Sequence, residues 1–269
     1  MQIKISSTKN SFIRELIQLK EKSRARKKAG KFLLEGQREI ELAIKGAFTI
    51  EKIIFCPAIV QQKNINTVEE SLSNSVSWVE VSEDVYKKIA YRESTEGILA
   101  LVTNKTHTLS EVVFKRKNPL ILIAEAPEKP GNIGALLRTA DAANLDAVFI
   151  ANPKTDVYNP NIIRSSVGCL FTTQIATGST EEILLYLKKN KINSYAAALK
   201  KDSRPYQEQD FKRPTAIVVG TESTGLSEEW LQNATKKIII PMHGKIDSMN
   251  VSVAASILIF EACRQRGFL

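Results

Sequence analysis

Apolar positions in the first hundred residues follow helical and strand periods in turn. Phe12, Leu16 and Leu19 recur at helical spacing after two residues that can cap a helix, which predicts one basic helix ending at Gly30. The other elements predicted here are a strand and turn at 32–36, helices at 38–45 and 82–90, and strands at 50–55, 76–81 and 98–102. Together they predict a small α/β domain.

Beyond Pro119 the pattern changes to short, wholly apolar runs separated by helical stretches. The predicted strands are 120–124, 147–150, 171–176, 194–199, 215–219 and 237–240, and the predicted helices are 133–143, 160–167, 181–189, 228–234 and 251–266. Apolar strands that alternate with helices are typical of a parallel sheet covered on both faces. Because the chain between the two patterns is polar and aperiodic, we expect a domain at 1–105, a linker at 106–118 and a second domain at 119–269.

Composition narrows the class of protein. The 269 residues are 43% hydrophobic and 25% charged, as in ordinary globular proteins and unlike disordered chains. No apolar run approaches the ~20 residues of a membrane helix, and the first residues do not resemble a secretory signal, so we expect a cytoplasmic protein. Three scattered cysteines and two histidines disfavour a disulfide framework and a metal site.

The net charge of +9 is unevenly distributed. Residues 1–50 contain 12 basic and 5 acidic residues, a net of +7, and most of this excess lies between Lys20 and Lys31. Such a run attracts polyanions and predicts salt-dependent contacts to nucleic acid phosphates. The alternative is a solvated helix face that only keeps the protein in solution.

Three loops of the second domain carry candidate chemistry, since ligands bind outside the carboxyl ends of parallel strands. The first, residues 125–134, leads into a helix whose N-terminal N–H groups can face an anion. Arg138, two turns into that helix, either contacts a phosphate or is an ordinary surface arginine.

The second loop runs from Gly220 to Ser227 after an apolar strand. It has neither the GxGxxG spacing of dinucleotide-binding proteins nor the lysine of a P-loop, which disfavours a dehydrogenase. Glu222 either bonds its own turn or faces a ligand, and Ser227 is predicted to cap the next helix.

The third loop, residues 240–250, enters the last helix. Its end can be a simple helix cap, but apolar Ile240, Met242 and Met249 alternate with polar side chains. A lining of this kind suits a cofactor with an adenine ring and a polar ribose.

Three stretches of the second domain, taken in chain order, resemble the motifs of a known family. NIGALLRTADA at 132–142, GTExxGLS at 220–227 and IPMxGxxxSMNVSVA at 240–254 resemble the motifs of the SpoU (TrmH-type) RNA ribose 2′-O-methyltransferases of the SPOUT class. Residues 159–168 resemble the segment between the first two motifs. FLLEGQR at 32–38 and STEGILA at 94–100 are similar to the family's ribosomal-protein-like substrate-binding domain, although Glu96 replaces an expected glutamine.

The resemblance implies a parallel sheet whose C-terminal segment is threaded into a trefoil knot that binds S-adenosylmethionine. Gly220, Ile240 and Met249 are then expected to contact this cofactor, and Leu226 and Met242 to add apolar lining. The family pattern also implies a homodimer formed through the knotted region, with the site near the dimer interface. Met249 stands where leucine is usual, a replacement that preserves size and polarity.

The resemblance also assigns the essential arginine to Arg138. A guanidinium is a poor general base, so we expect Arg138 to bind the phosphate next to the reacting ribose and to stabilise the developing alkoxide. Residues expected to orient the nucleotide and Arg138 are Asn132, Glu222, Ser248 and Asn250. The implied activity is S-adenosylmethionine-dependent methylation of a ribose 2′-hydroxyl in ribosomal RNA. The alternatives are transfer RNA as substrate, or an RNA-binding module that has lost catalysis.

Overall fold

The computed structural model describes residues 3–72, 76–92 and 96–268. Ser94 and Thr95 of the STEGILA stretch lie outside these ranges. The chain forms two compact units. One contains the residues up to Thr106 together with Asp156–Thr172, and the other contains His107–Thr155 and Thr173–Leu269.

The elements of the described chain are numbered in chain order. The strands are β1 Ile3–Ile5, β2 Lys31–Glu35, β3 Ile50–Phe55, β4 Ser77–Val81, β5 Ile98–Thr103, β6 Leu120–Glu125, β7 Ala147–Ala151, β8 Ile175–Gly178, β9 Asn193–Ala197, β10 Arg204–Pro205, β11 Thr215–Val219 and β12 Lys236–Ile239. The helices are α1 Ser11–Glu21, α2 Ser23–Ala29, α3 Gln37–Lys45, α4 Gln62–Ser71, α5 Glu83–Ile89, α6 Pro130–Ala142, α7 Pro160–Ser166, α8 Cys169–Thr172, α9 Thr180–Lys189, α10 Glu228–Asn233 and α11 Val251–Gln265.

The first unit is an α/β domain, as predicted. Its described strands form one sheet in the order β1-β4-β3-β5-β2, with β5 antiparallel to both of its neighbours. The helical spacing in α1 has a simple cause, because Ile13, Leu16 and Leu19 are at most 1% exposed in the core beneath it.

The single helix predicted from Ser11 to Gly30 is wrong. The chain leaves the helical conformation at Lys22, between α1 and α2. Arg26 stabilises this break, because its Nη1 donates to the carbonyls of Leu19 at 2.7 Å and Lys20 at 3.3 Å. Those carbonyls would accept the backbone bonds of a continuous helix.

Asp156–Thr172, which the sequence places in the second domain, packs within the first unit. The carboxylate of Asp156 accepts two bonds from Arg26, at 2.9 Å from Nε and 2.8 Å from Nη2, and both side chains are nearly buried. Phe32 of β2 stacks on Tyr158 with ring centroids 4.3 Å apart. Arg26, one of the basic residues between Lys20 and Lys31, therefore forms an ion pair within the first unit.

The second unit confirms the predicted parallel sheet. Its described strands follow the order β10-β12-β9-β11-β6-β7-β8, and every described pair in it is parallel. The chain runs from β6 through β7 to β8 and then crosses to the other side of β6. The order therefore reverses between β6 and β11, where open parallel sheets bind ligands. The trefoil threading stays a prediction.

Two segments near this sheet differ from expectation. Residues 171–176, predicted as a strand, divide between the end of α8 and the start of β8. The predicted linker is hydrogen-bonded to the second unit. The backbone carbonyl of His107 accepts from the backbone N–H of Thr177 at 2.7 Å, and the backbone N–H of Val113 donates to the side chain of Gln174 at 2.9 Å. Across the described ranges, no helix is both long and apolar enough to span a bilayer.

Candidate active site

A cleft of about 860 Å³ opens at the carboxyl ends of β9 and β11 in the second unit. Its wall includes parts of the second and third candidate loops. The predicted site residues that line it are Gly220, Glu222, Leu226, Ser248, Met249 and Asn250. The structure therefore brings together two segments that are about twenty residues apart in the chain.

The Gly220–Ser227 loop is a closed turn. Thr221 and Gly225 exchange backbone hydrogen bonds of 3.0 and 3.1 Å, and Gly225 has a φ of +70°. A Cβ on Gly220 would lie 2.2 Å from the carbonyl carbon of Gly225, so only glycine permits this closure. Glycine at 220 is therefore required by the turn itself, whatever the cleft binds.

Glu125, the last residue of β6, holds the far end of this loop. Its side chain is 5% exposed. It accepts hydrogen bonds from the Ser227 backbone at 2.8 Å, the Ser227 hydroxyl at 2.7 Å and the Thr180 hydroxyl at 3.0 Å. Ser227 does occupy the N-cap position of α10, but its side chain bonds Glu125 and makes no cap bond, so the predicted capping role is wrong.

Glu222 forms an ion pair with Lys129 of the first loop, and this pair joins the first and second loops. A small cavity of about 20 Å³ lies beside it, lined in part by Asn132, Gly220 and Val251. The sequence left open whether Glu222 bonds its own turn or faces a ligand. In the structure its carboxylate does not bond its own turn but pairs with Lys129, 93 residues away in sequence.

Asn250 connects the first and third loops. Its Oδ1 caps α11 by accepting from the backbone of Ser252 at 2.9 Å and from its hydroxyl at 2.6 Å, and its Nδ2 donates to Oδ1 of Asn132 at 3.2 Å. The capping interpretation therefore holds for Asn250 although the same side chain lines the cleft. Ser248 is exposed on the cleft wall two residues earlier.

Four predicted residues do not line the cleft. Asn132 lines the small cavity beside Glu222 instead. Ile240 and Met242 are half-buried after β12, and neither belongs to the wall of the cleft. Arg138 is exposed on α6, and its side chain has no ion pair or hydrogen bond with any described residue. Arg138 follows Asn132 by six positions, which puts the two side chains about 120° apart around α6.

Sequence reasoning missed several residues of the site. Ala197–Lys200 line the cleft because β9 lies between β11 and β12. Glu125 and Lys129 bond to the second loop from the end of β6 and the start of α6. Glu125 could have been singled out from the sequence, because it stands at the end of a predicted strand, where the first candidate loop begins. Strand order, which brings β9 to the cleft, is not encoded in apolar runs.

Comparisons with known proteins identify the family of each part of the chain. Residues 119–260 match the SpoU rRNA Methylase family, and residues 10–100 match the MRM3-like substrate binding domain. A 23S rRNA (guanosine(2553)-2′-O)-methyltransferase from Bacillus subtilis is 29% identical over 95% of this chain and 97% of its own length. A tRNA (guanosine(18)-2′-O)-methyltransferase from Thermus thermophilus is 36% identical over 65% of this chain and 86% of its own.

A solved structure extends the likeness to nearly the whole chain. The crystal structure of an RNA 2′-O ribose methyltransferase shares 38% identity and superposes with a TM-score of 0.83, covering 98% of this chain and 99% of its own. The family match spans more than half of the 269 residues and includes all three candidate loops. The chain belongs to the SpoU rRNA Methylase family.

Proposed function

We propose that the protein transfers a methyl group from S-adenosylmethionine to a ribose 2′-hydroxyl of RNA. The observation that carries the proposal is the cleft at the ends of β9 and β11, where residues of the second and third family motifs meet. The end-to-end likeness to an RNA 2′-O ribose methyltransferase supports the same activity.

The residues of the cleft fit S-adenosylmethionine. The volume of about 860 Å³ is within the range of small-molecule sites. Leu199, Leu226 and Met249 supply apolar surface for an adenine ring, and polar groups on the same wall can bond the ribose and the amino acid end of the cofactor. When bound, the cofactor supplies a methyl group activated by a sulfonium.

Arg138 is the proposed catalytic residue. It has no ion-pair partner among the described residues, so its guanidinium is available to an RNA phosphate, which it binds in bidentate geometry. At that position it holds the ribose hydroxyl in line and stabilises the charge that develops as the hydroxyl proton leaves. Asn132, Glu222, Ser248 and Asn250 orient the nucleotide. Ile240 and Met242 stay proposed cofactor contacts, although neither lines the cleft.

We propose a homodimer formed by α11 and the knotted segment. Val253 and Phe260, seven residues apart on one helix face, are 50% and 41% exposed. An apolar face of this kind is typical of a subunit interface. α6 packs against α11 through a 2.9 Å hydrogen bond between the hydroxyls of Thr139 and Ser256, so Arg138 lies next to this face.

Ribosomal RNA is the proposed substrate. The relative that acts on 23S rRNA aligns with both units of this chain, whereas the transfer RNA enzyme aligns with only 65% of it. The first unit, which matches a substrate-binding domain, would bind structured RNA by its shape and backbone.

Mapping of 2′-O-methyl groups across all RNA of a strain that lacks the gene tests the proposal. We expect one ribosomal RNA site to lose its methyl group and to regain it when the wild-type gene, but not an Arg138→Ala gene, is restored. Loss from a transfer RNA instead would contradict the choice of substrate. An unchanged methylation map would contradict the activity.

A further inference from the structure

Another small cavity lies in the first unit, among β2, α5, β5 and α7. It has a volume of about 20 Å³, which holds one water-sized group. Leu33 and Ile163 are among its apolar walls, while Glu35, Arg92 and Arg164 contribute charged groups. None of these residues takes part in the proposed methyl transfer.

Glu35 is the unusual member of this cavity, because one oxygen of its carboxylate has no partner among the described residues. The residue is 8% exposed. Its Oε2 accepts from the backbone N–H groups of Tyr91 at 2.8 Å and Arg92 at 3.1 Å, whereas Oε1 is buried and has no hydrogen bond to any residue that the structure describes. A buried acceptor without a hydrogen bond is energetically unfavourable. Burial also raises the pKa of Glu35, despite the lowering effect of those backbone bonds.

The mouth of the cavity carries groups that bind nucleic acid bases. Tyr91 is 39% exposed, and its hydroxyl is bonded to Asn161 at 2.5 Å, which holds the ring in place. Arg164 is exposed beside it and has no ion pair among the described residues. Aromatic rings and guanidinium planes stack on unpaired bases.

We infer that this cavity recognises the Watson–Crick edge of an unpaired guanine in the RNA substrate. The 2-amino group of guanine is an N–H donor of a size that this cavity holds, and the oxygen of Glu35 that has no partner among the described residues accepts from it. The cavity admits an amino group and leaves the ring outside, against Tyr91 and Arg164. The inference rests on the proposed function, since it names a second RNA contact of the same enzyme.

The test compares two pentaribonucleotides, UUGUU and UUIUU, which differ only in the 2-amino group that inosine lacks. Binding to the full-length protein is measured by fluorescence anisotropy at fixed salt. We expect the guanine oligomer to bind at least about tenfold more tightly, since inosine lacks the amino group that donates a hydrogen bond to the charged carboxylate. Equal affinities, or no measurable binding of either oligomer, would overturn the inference.

Variants assign the preference to the cavity. Glu35→Gln keeps one oxygen for the backbone of Tyr91 and Arg92 and puts an NH₂ group where guanine needs an acceptor, so the preference for guanine should disappear. Arg164→Ala should weaken the binding of both oligomers, whereas Arg204→Ala on β10, an exposed arginine with the same charge change, should weaken neither. The site would be contradicted by a guanine preference that is unchanged in Glu35→Gln. It would also be contradicted by equal affinities of Arg164→Ala and Arg204→Ala.

Methylation of full-length RNA and calorimetric binding of S-adenosylmethionine are measured on the same preparations. If the wild type binds cofactor and methylates RNA but shows no guanine preference, the cavity inference fails alone. If the wild type neither binds cofactor nor methylates RNA, it is the proposed function that fails.

Discussion

Ser227 donates both its backbone N–H and its hydroxyl to the buried carboxylate of Glu125, across 102 residues of sequence. The bond joins the end of β6 to the end of the Gly220–Ser227 loop, on the two sides of the point where strand order reverses. One wall of the proposed cofactor cleft is thereby attached to the centre of the sheet. Glu125 is a positioning residue in this account.

Glu125→Gln should weaken cofactor binding about tenfold, which corresponds to about 1.4 kcal/mol. The glutamine can still accept from the Ser227 hydroxyl, but its NH₂ group then faces the Ser227 N–H and repels it. Calorimetric titration with S-adenosylmethionine measures the change, and a thermal melt checks the fold. Glu181→Gln, an exposed carboxylate on α9, is the matched control. Equal affinities in the two variants would show that Glu125 does not position the loop.

The basic run should be tested by point substitutions, because deletion of residues 1–31 would remove Ile13, Leu16 and Leu19 from the core. Its exposed basic residues are Lys22, Arg24, Lys27 and Lys28. Alanine at all four should weaken RNA binding and make the slope of log affinity against log salt shallower by about 2–4. Cofactor affinity should stay unchanged. An unaltered slope would return these residues to the solvated-face interpretation.

The ion pair between Arg26 and Asp156 should dominate the acid sensitivity of the first unit. Burial alone would raise the pKa of Asp156, but hydrogen bonds from Arg26 and Ser23 and the charge of Arg26 outweigh it and lower that pKa. Asp156→Asn should cost about 3–5 kcal/mol in the free energy of unfolding near pH 7, because Arg26 is left buried without a counter-charge.

The sign of the pH effect follows from the lowered pKa. The stabilisation is complete above the ordinary aspartate pKa of about 3.9 and is lost as pH falls through the lower folded pKa. The free energies of unfolding of wild type and Asp156→Asn, measured with urea, should therefore differ by a constant amount from pH 7 to 5. The difference should decrease only below about pH 4. A difference that decreased already between pH 7 and 5 would be inconsistent with this assignment.

How much the sequence could predict depended on whether a contact was local. The wholly apolar strands β6, β7 and β11 were predicted within one residue at each end, since burial on both faces leaves a continuous run. α4 was missed because Val68 is its one buried residue, and β1 and β10 are too short to show a period. The pairs Arg26–Asp156 and Glu125–Ser227 join residues more than 100 positions apart, which no local pattern encodes.

The proposed dimer predicts a change of mass when the apolar face of α11 is made acidic. Wild type should elute as two chains of 29.9 kDa each, and the double variant Val253→Asp with Phe260→Asp as one, because buried carboxylates oppose association. Light scattering after gel filtration measures both masses. Leu185→Asp, which changes an apolar residue of α9 that is 60% exposed, should leave the mass unchanged. A single-chain mass for wild type would refute the dimer.

The most direct measurement follows transfer of a labelled methyl group from S-adenosylmethionine to the RNA identified by methylation mapping, for wild type and Arg138→Ala side by side. The account predicts a 2′-O-methylated nucleoside from wild type. In Arg138→Ala the rate should fall by at least about 100-fold, as when a group that stabilises developing charge is removed, with calorimetric cofactor affinity within about twofold of wild type. Near-normal turnover by Arg138→Ala, or a methyl group on a base in place of the ribose, would contradict the account.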